Sequence, residues 1–220
     1  MTTSPTAPSP TAFEPHPVRG RFNAAFFRVM EPYLDRHLDA QKRRVLADLP
    51  REVVEIGSGV GANLPYLPQG ATLVAIEPNP YMRGRLEVAA RTRGVRLDLR
   101  LRTADDTGLA AGSADAVVSS LVLCTVPDPG AVLAEIIRIL RPGGTFRFVE
   151  HVAAEPGTPT RAAQRIMRRP WAWTFEGCSC ERDLEGAIRS AGFANVEIER
   201  YRLRSPFVPF NTHIAGIAEA

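Results

Sequence analysis

Glu55, Gly57, Ser58, Gly59, Gly61 and Asn63 fall within one short stretch, and Glu77 follows it at the end of the next apolar run. Glycines placed directly after Val53-Val54-Glu55-Ile56 strip side chains from a loop, so that a ligand can approach the backbone. A carboxylate closing Leu73-Val74-Ala75-Ile76 stands where it can accept hydrogen bonds from both hydroxyls of a ribose. Together these residues predict an adenosine-containing cofactor, and the position of Glu77 argues against a glycine-rich turn that binds nothing. The spacing is G-x-G-x-G rather than the G-x-G-x-x-G of dinucleotide sites, and the loop has no Lys or Arg to meet a phosphate.

These residues need a scaffold, and the pattern supplies one. Strands are expected near 52–57, 72–77, 95–101, 115–121 and 145–150, with helices near 61–67, 80–92 and 129–140 between several of them. Gly94 stops one helix, and Arg141-Pro142-Gly143-Gly144 stops another, because proline cannot continue a helix and glycine supplies positive φ. Alternating strands and helices imply a parallel sheet covered on both faces, with ligands at the carboxyl ends of the strands. Residues 1–18, rich in Thr, Ser, Pro and Ala, read as a disordered tail. Residues 19–220 read as a single domain in which 19–48 form two helices broken near Pro32, a possible lid. Residues 151–180 form an insert covering the site, followed by a helix near 181–191 and strands at 195–203 and 212–218.

Composition narrows the function classes. The 220 residues carry a net charge of +3 with no dense basic cluster, so no nucleic-acid partner is demanded. No stretch is long and apolar enough for stable membrane insertion and no signal peptide is evident, which predicts a cytoplasmic protein acting on a small molecule as a monomer or homodimer. Heavy use of Arg and Ala, with Lys42 the sole lysine, reads as a trait of genome composition. Three cysteines are too few for a disulfide framework, and Cys178-Ser179-Cys180 is too tight a pair for an ordinary zinc site without a second cluster, so no metal is expected.

The loop resembles the first motif of class I S-adenosylmethionine-dependent methyltransferases. That resemblance implies a Rossmann-like seven-stranded α/β sheet, parallel except for a C-terminal antiparallel strand, with helices on both faces. It implies that Glu55 lies near the methionine portion of the cofactor and that Gly57, Ser58, Gly59, Gly61 and Asn63 wrap around it. Glu77 with Pro78 would take the ribose, and Asp105 or its rival Asp106 the adenine amino group. Ser120 and Leu121, at the end of the fourth strand, would run beneath the methyl group.

A narrower resemblance rests on Leu121-Val122-Leu123-Cys124, Leu140-Arg141-Pro142-Gly143-Gly144, Glu150-His151-Val152-Ala153, Pro170-Trp171, Gly177-Cys178 and Thr212-His213-Ile214-Ala215-Gly216. These segments are similar to a methyltransferase-like family whose mammalian members are membrane-associated alkyl thiol S-methyltransferases, although the family's hydrophobic N-terminal anchor is replaced here by the polar tail. The resemblance implies methyl transfer to a small thiol, with N- or O-methylation of a small molecule or a phospholipid head group as the alternative. A DNA-type Asn-Pro-Pro-Tyr motif is missing at Leu123-Cys124-Thr125-Val126. His151 is the candidate general base, and Cys124, His151, Trp171 and Phe175 are candidate substrate-pocket residues. His213 and Trp173 read as structural or insert-anchoring positions, and Cys178 and Cys180 are given no nucleophilic role.

Overall fold

The computed structural model describes residues 17–175 and 177–220. Most of the expected tail therefore lies outside the described residues, while Pro17 and Val18 already open the first helix. A seven-stranded sheet in the order β3-β2-β1-β4-β5-β7-β6 forms the centre. Its strands are β1 (Glu52–Ile56), β2 (Thr72–Ile76), β3 (Arg96–Arg100), β4 (Ala114–Ser120), β5 (Leu140–His151), β6 (Asn195–Arg202) and β7 (Thr212–Glu219). Strands β3, β2, β1, β4 and β5 pair in parallel, and β7 runs antiparallel between β5 and β6. Val53 to Ile56 are all buried because helices cover both faces, so β1 shows no alternation.

One face is covered by α1 (Pro17–Val45) through Leu38 and Val45, and by α2 (Arg83–Thr92) through Leu86 and Ala90. The opposite face is covered by α3 (Pro129–Ile139) and α5 (Leu184–Ser190). Val132, Leu133, Ile136 and Ile139 form the buried stripe of α3, at the spacing a helix needs to bury one side. Asp128 starts that helix by accepting hydrogen bonds from the amides of Gly130 and Ala131, with Pro129 at a first-turn position that has no amide to satisfy.

Three expectations are corrected and a fourth is filled in. Residues 17–45 form one helix through position 32, where two were expected; a proline in a helix interior costs about 3 kcal/mol, which burial of Leu38, Val45 and Leu46 against the sheet offsets. The helix expected at 61–67 is a single 3-10 turn, Leu64–Tyr66, after a run of turns. The strand expected at 145–150 starts at Leu140: Arg141–Gly144 follow the end of α3 at Ile139, with Gly143 at φ +75° as expected of a helix stop, but they already belong to β5, whose pairing with β4 shifts register between Ala114 and Ala116. The expected insert contains a helix, α4 (Pro159–Thr174), started by Thr158, whose hydroxyl accepts from the Arg161 amide.

The sheet admits glycine alone at Gly216. A Cβ there would lie 2.1 Å from the Glu197 carbonyl oxygen and 2.7 Å from the Phe148 ring, so β7 can sit between its neighbours only without a side chain at that point.

Candidate active site

At the carboxyl ends of β1, β2 and β4 a cavity of about 780 Å³ opens beneath α1 and α4. The loop after β1 forms one wall. Gly57 and Gly59 both take positive φ there, at +63° and +54°. A Cβ on Gly57 would come within 2.5 Å of Val122, whereas one on Gly59 would meet nothing closer than 3.9 Å. The Gly59 backbone is thus bare toward the cavity, as close approach of a ligand requires.

Glu77 closes β2 at the same wall. Its Oε2 accepts the Gly59 amide at 2.8 Å and its Oε1 the Asn79 amide at 2.8 Å. Behind the loop runs a second chain of contacts. Asn63 donates from Nδ2 to Glu55 Oε1 at 2.6 Å, and Asn63 Oδ1 accepts from Ser120 Oγ at 3.3 Å. Burial pushes the Glu55 carboxyl above its ordinary range, opposed by hydrogen bonds from Asn63 and Ser58 and by the charge of Lys42. Lys42, only 2% exposed, reaches in from α1 and donates to the Ala62 carbonyl at 3.4 Å.

Leu121, just past β4, borders the cavity with φ +61°, a left-handed conformation that is uncommon without glycine. Two contacts hold it: its amide donates to the Val149 carbonyl at 2.9 Å, and the next amide, of Val122, donates to Glu150 Oε1 at 3.2 Å. Glu150 is fully buried, accepts from Ser119 Oγ at 2.6 Å, and is pushed up to about 7 by burial.

The other end of the cavity is apolar. Phe26 of α1 meets Phe175 edge-on at 4.9 Å, Phe175 meets Trp171 at 4.6 Å, and Trp171 faces Phe210 at 6.4 Å. Cys124 and Cys178 border this end, with their sulfurs 3.3 Å apart, and Trp171 donates from Nε1 to the Cys178 sulfur at 3.4 Å. The hydrogen bond with Cys124 and the nearby His151 ring pull the Cys178 thiol below its ordinary range. The same contact with Cys178, together with burial, raises that of Cys124. α4 is fastened over this end by the buried Gln164, which accepts from the Ala154 amide at 2.8 Å and donates to the carbonyls of Val152 and Pro209.

The cavity brings together Glu55, Gly57, Ser58, Gly59, Asn63, Glu77, Pro78, Asp105, Ser120, Leu121, Cys124, Trp171 and Phe175 from the sequence reading. It leaves out four others. Gly61 packs instead toward Leu64 and Leu86, where a Cβ would lie 2.6 Å from Leu64. Asp106 pairs with Arg102 at 2.7 Å on the outside. His151 is fully buried behind the cysteines, and Trp173 is 70% exposed. Sequence reasoning missed Lys42, Met30, Leu34, Phe207 and Phe210, all of which line the cavity. The status of Lys42 as the sole lysine was a signal for it; the apolar residues carried none.

A sheet of this order, with a bare glycine loop facing an acid at the next strand's end, defines a class I S-adenosylmethionine-dependent methyltransferase. Residues 54–148 match a family model described as a methyltransferase domain. The chain belongs to the family that includes two human relatives, the thiol S-methyltransferases TMT1A and TMT1B. TMT1A is 33% identical over 169 residues, covering 76% of this chain and 69% of the relative. TMT1B is 32% identical over 202 residues, covering 86% and 82%. Among solved structures, a SAM-dependent methyltransferase from Aquifex aeolicus superposes with a TM-score of 0.62 at 14% identity, over 89% of this chain and 97% of that one. The protein is an enzyme of this class, and its methyl donor is S-adenosylmethionine. Among the described residues, no helix is long and apolar enough to cross a membrane.

Proposed function

We propose that this enzyme methylates the sulfur of a small apolar thiol. The observation that carries the reading is the acceptor end of the cavity: Phe26, Phe175, Trp171 and Phe210 enclose it, and among the described residues no histidine lines the cavity. The carboxylates that border the cavity have other engagements or are exposed. Glu55 is bound by Asn63, Glu77 by two amides and Asp128 by the first turn of α3, while Asp105 is exposed. An amine or alcohol needs a base to release its lone pair or proton, whereas a thiol of pKa near 8.5 is already a few per cent thiolate at neutral pH. A site without a poised base therefore suits a thiol. The names of the two human relatives support the same acceptor.

On this reading Glu77 accepts the ribose hydroxyls and the loop of Gly57, Ser58 and Gly59 presents its backbone to the methionine portion. Glu55, held by Asn63, faces the ammonium of that portion, and Asp105 takes the adenine amino group. Bound S-adenosylmethionine supplies an electrophilic methyl on a sulfonium. The chain's part is positioning: Leu121 and Val122 floor the reacting centre, and the aromatic end excludes water and holds the acceptor about 3–3.5 Å from the methyl in line with the leaving sulfur. His151, lying behind the cysteines, is not assigned as the base. The enzyme would act in the cytoplasm, as a monomer or homodimer. A panel of alkyl thiols against amines and alcohols of the same carbon skeleton, read by formation of the demethylated donor, tests the reading. Faster turnover of the thiols is expected, and equal or faster turnover of the amines or alcohols overturns it.

A further inference from the structure

Cys124, His151 and Cys178 come from three separate segments: the loop after β4, the end of β5 and the loop after α4. All three are buried, and their ligand atoms lie within 4.8 Å of one another. The two sulfurs are 3.3 Å apart, and Cys178 Sγ lies 4.0 Å from His151 Nδ1. A tetrahedral zinc ion with bonds of about 2.3 Å to sulfur and 2.0–2.1 Å to nitrogen places such donors roughly 3.5–3.8 Å apart, so the two separations at Cys178 lie within about half an ångström of that spacing, and the ion would draw His151 and Cys124, which stand within 4.8 Å of each other, closer together.

The surroundings suit a ligand set. The Pro209 carbonyl accepts from His151 Nε2 at 2.7 Å, which leaves the Nδ1 lone pair facing the sulfurs, and Gln164 in turn donates to that carbonyl at 3.0 Å. The Ser179 amide donates to the Cys124 carbonyl at 2.7 Å and Arg182 donates to the Leu123 carbonyl at 3.0 Å, so both cysteine loops are tied together. Cys180, the neighbour that sequence spacing pairs with Cys178, turns away to the Gln164 carbonyl.

We propose that Cys124, Cys178 and His151 form a binding site for a thiophilic divalent cation of the zinc class, whose fourth position opens into the cavity and takes the acceptor sulfur. The two sulfurs border the cavity and the imidazole lies behind them, so the remaining face of the ion points toward the acceptor. Three protein ligands with an open fourth position is the arrangement of a catalytic rather than a structural zinc. Binding the ion releases the thiol protons of the two cysteines to solvent. An acceptor thiol then binds as thiolate with loss of its own proton to solvent. Its sulfur lone pair forms the new bond to the methyl carbon as the carbon–sulfonium bond breaks, and the resulting thioether, a weaker ligand, leaves. The fourth-position assignment rests on the thiol reading above; the three-ligand site does not.

The test is titration of the metal-stripped, reduced protein with Zn²⁺ and with Co²⁺, followed by a simple alkyl thiol. One equivalent of metal is expected, with sulfur-to-cobalt charge-transfer absorption that changes when the thiol is added. Cys124→Ser and His151→Gln are expected to lose stoichiometric binding, and Cys180→Ser to keep it. Circular dichroism checks that each variant is folded, and Cys178→Ser replaces any that is not. No stoichiometric binding, or binding unaffected by these substitutions, overturns the site. A cobalt spectrum indifferent to the thiol overturns the open fourth position. If thiols are methylated at the same rate by the stripped protein, the cation has no part in turnover while the thiol reading stands. If the metal binds but amines are the preferred acceptors, the thiol reading falls and the three-ligand site remains.

Discussion

Glu77 Oε2 accepts the amide of Gly59 at 2.8 Å, so the acid at the end of β2 and the crest of the β1 loop form one unit. Substituting the acid therefore disturbs a ligand contact and the loop beside it. Glu77→Ala is expected to weaken binding of the demethylated donor by about 1.5–3 kcal/mol, the range for hydrogen bonds to a charged group. Calorimetric titration reads it, and unchanged affinity would remove Glu77 from the ribose site.

Lys42 holds down the Glu55 carboxyl that burial raises. Lys42→Met keeps the length of the side chain and deletes the charge, so the Glu55 pKa is expected to rise further. Donor affinity, where it depends on the Glu55 carboxylate, should then fail at a higher pH than in the parent protein. Affinity measured across a pH series checks this; an unmoved midpoint would separate the two groups.

Gly57 and Gly70 both have positive φ, but a Cβ on Gly57 strikes Val122 whereas one on Gly70 meets nothing within 4 Å. Gly70→Ala is expected to cost only the backbone penalty, about 1 kcal/mol, and to leave donor binding intact. Gly57→Ala is expected to cost more and to abolish binding. Urea unfolding paired with calorimetry distinguishes them, and equal effects would mean that the Val122 contact is irrelevant.

Glu135 joins α3 to the segment after β3, accepting from the Thr107 amide at 3.0 Å and Oγ1 at 2.6 Å, and from Arg138. Burial raises its pKa, but the Arg138 and Thr107 hydrogen bonds outweigh that and hold it below the ordinary value. A depressed folded pKa contributes stability that is fully present above the unfolded value, about 4.3, and is lost as pH falls through the folded value. The parent protein should therefore lose more stability than Glu135→Gln between about pH 6 and pH 3. Parallel losses in thermal melts would rule out this linkage.

Phe175 touches both Phe26 and Trp171 at the acceptor end. Phe175→Ala is expected to raise KM for an apolar thiol by roughly tenfold or more, since burial of an aromatic side chain is worth about 1.5–3 kcal/mol, while donor affinity changes little. Steady-state kinetics with calorimetry checks the split.

The glycine loop and Glu77 could be read directly because central parallel strands appear as short apolar runs and their loops carry the ligand-facing residues. Asp105 and Asp106 could not be separated in sequence, since only the outward pair between Asp106 and Arg102 tells them apart. α4 was missed because its polar, exposed face dominates its composition, although Thr158-Pro159 marked its start. Lys42 and Phe210 reach the cavity from opposite ends of the chain, a juxtaposition that no local pattern encodes. The grouping of Cys124, His151 and Cys178 is equally non-local.

Lys42 is also the only side-chain amine in the protein, and it lies buried inside the cavity. Apart from the terminal amine, an acylating reagent has a single atom to find. The rate at which that atom is modified, read as one mass increment on one peptide, reports how well α1 and any bound ligand shield it, with no label introduced.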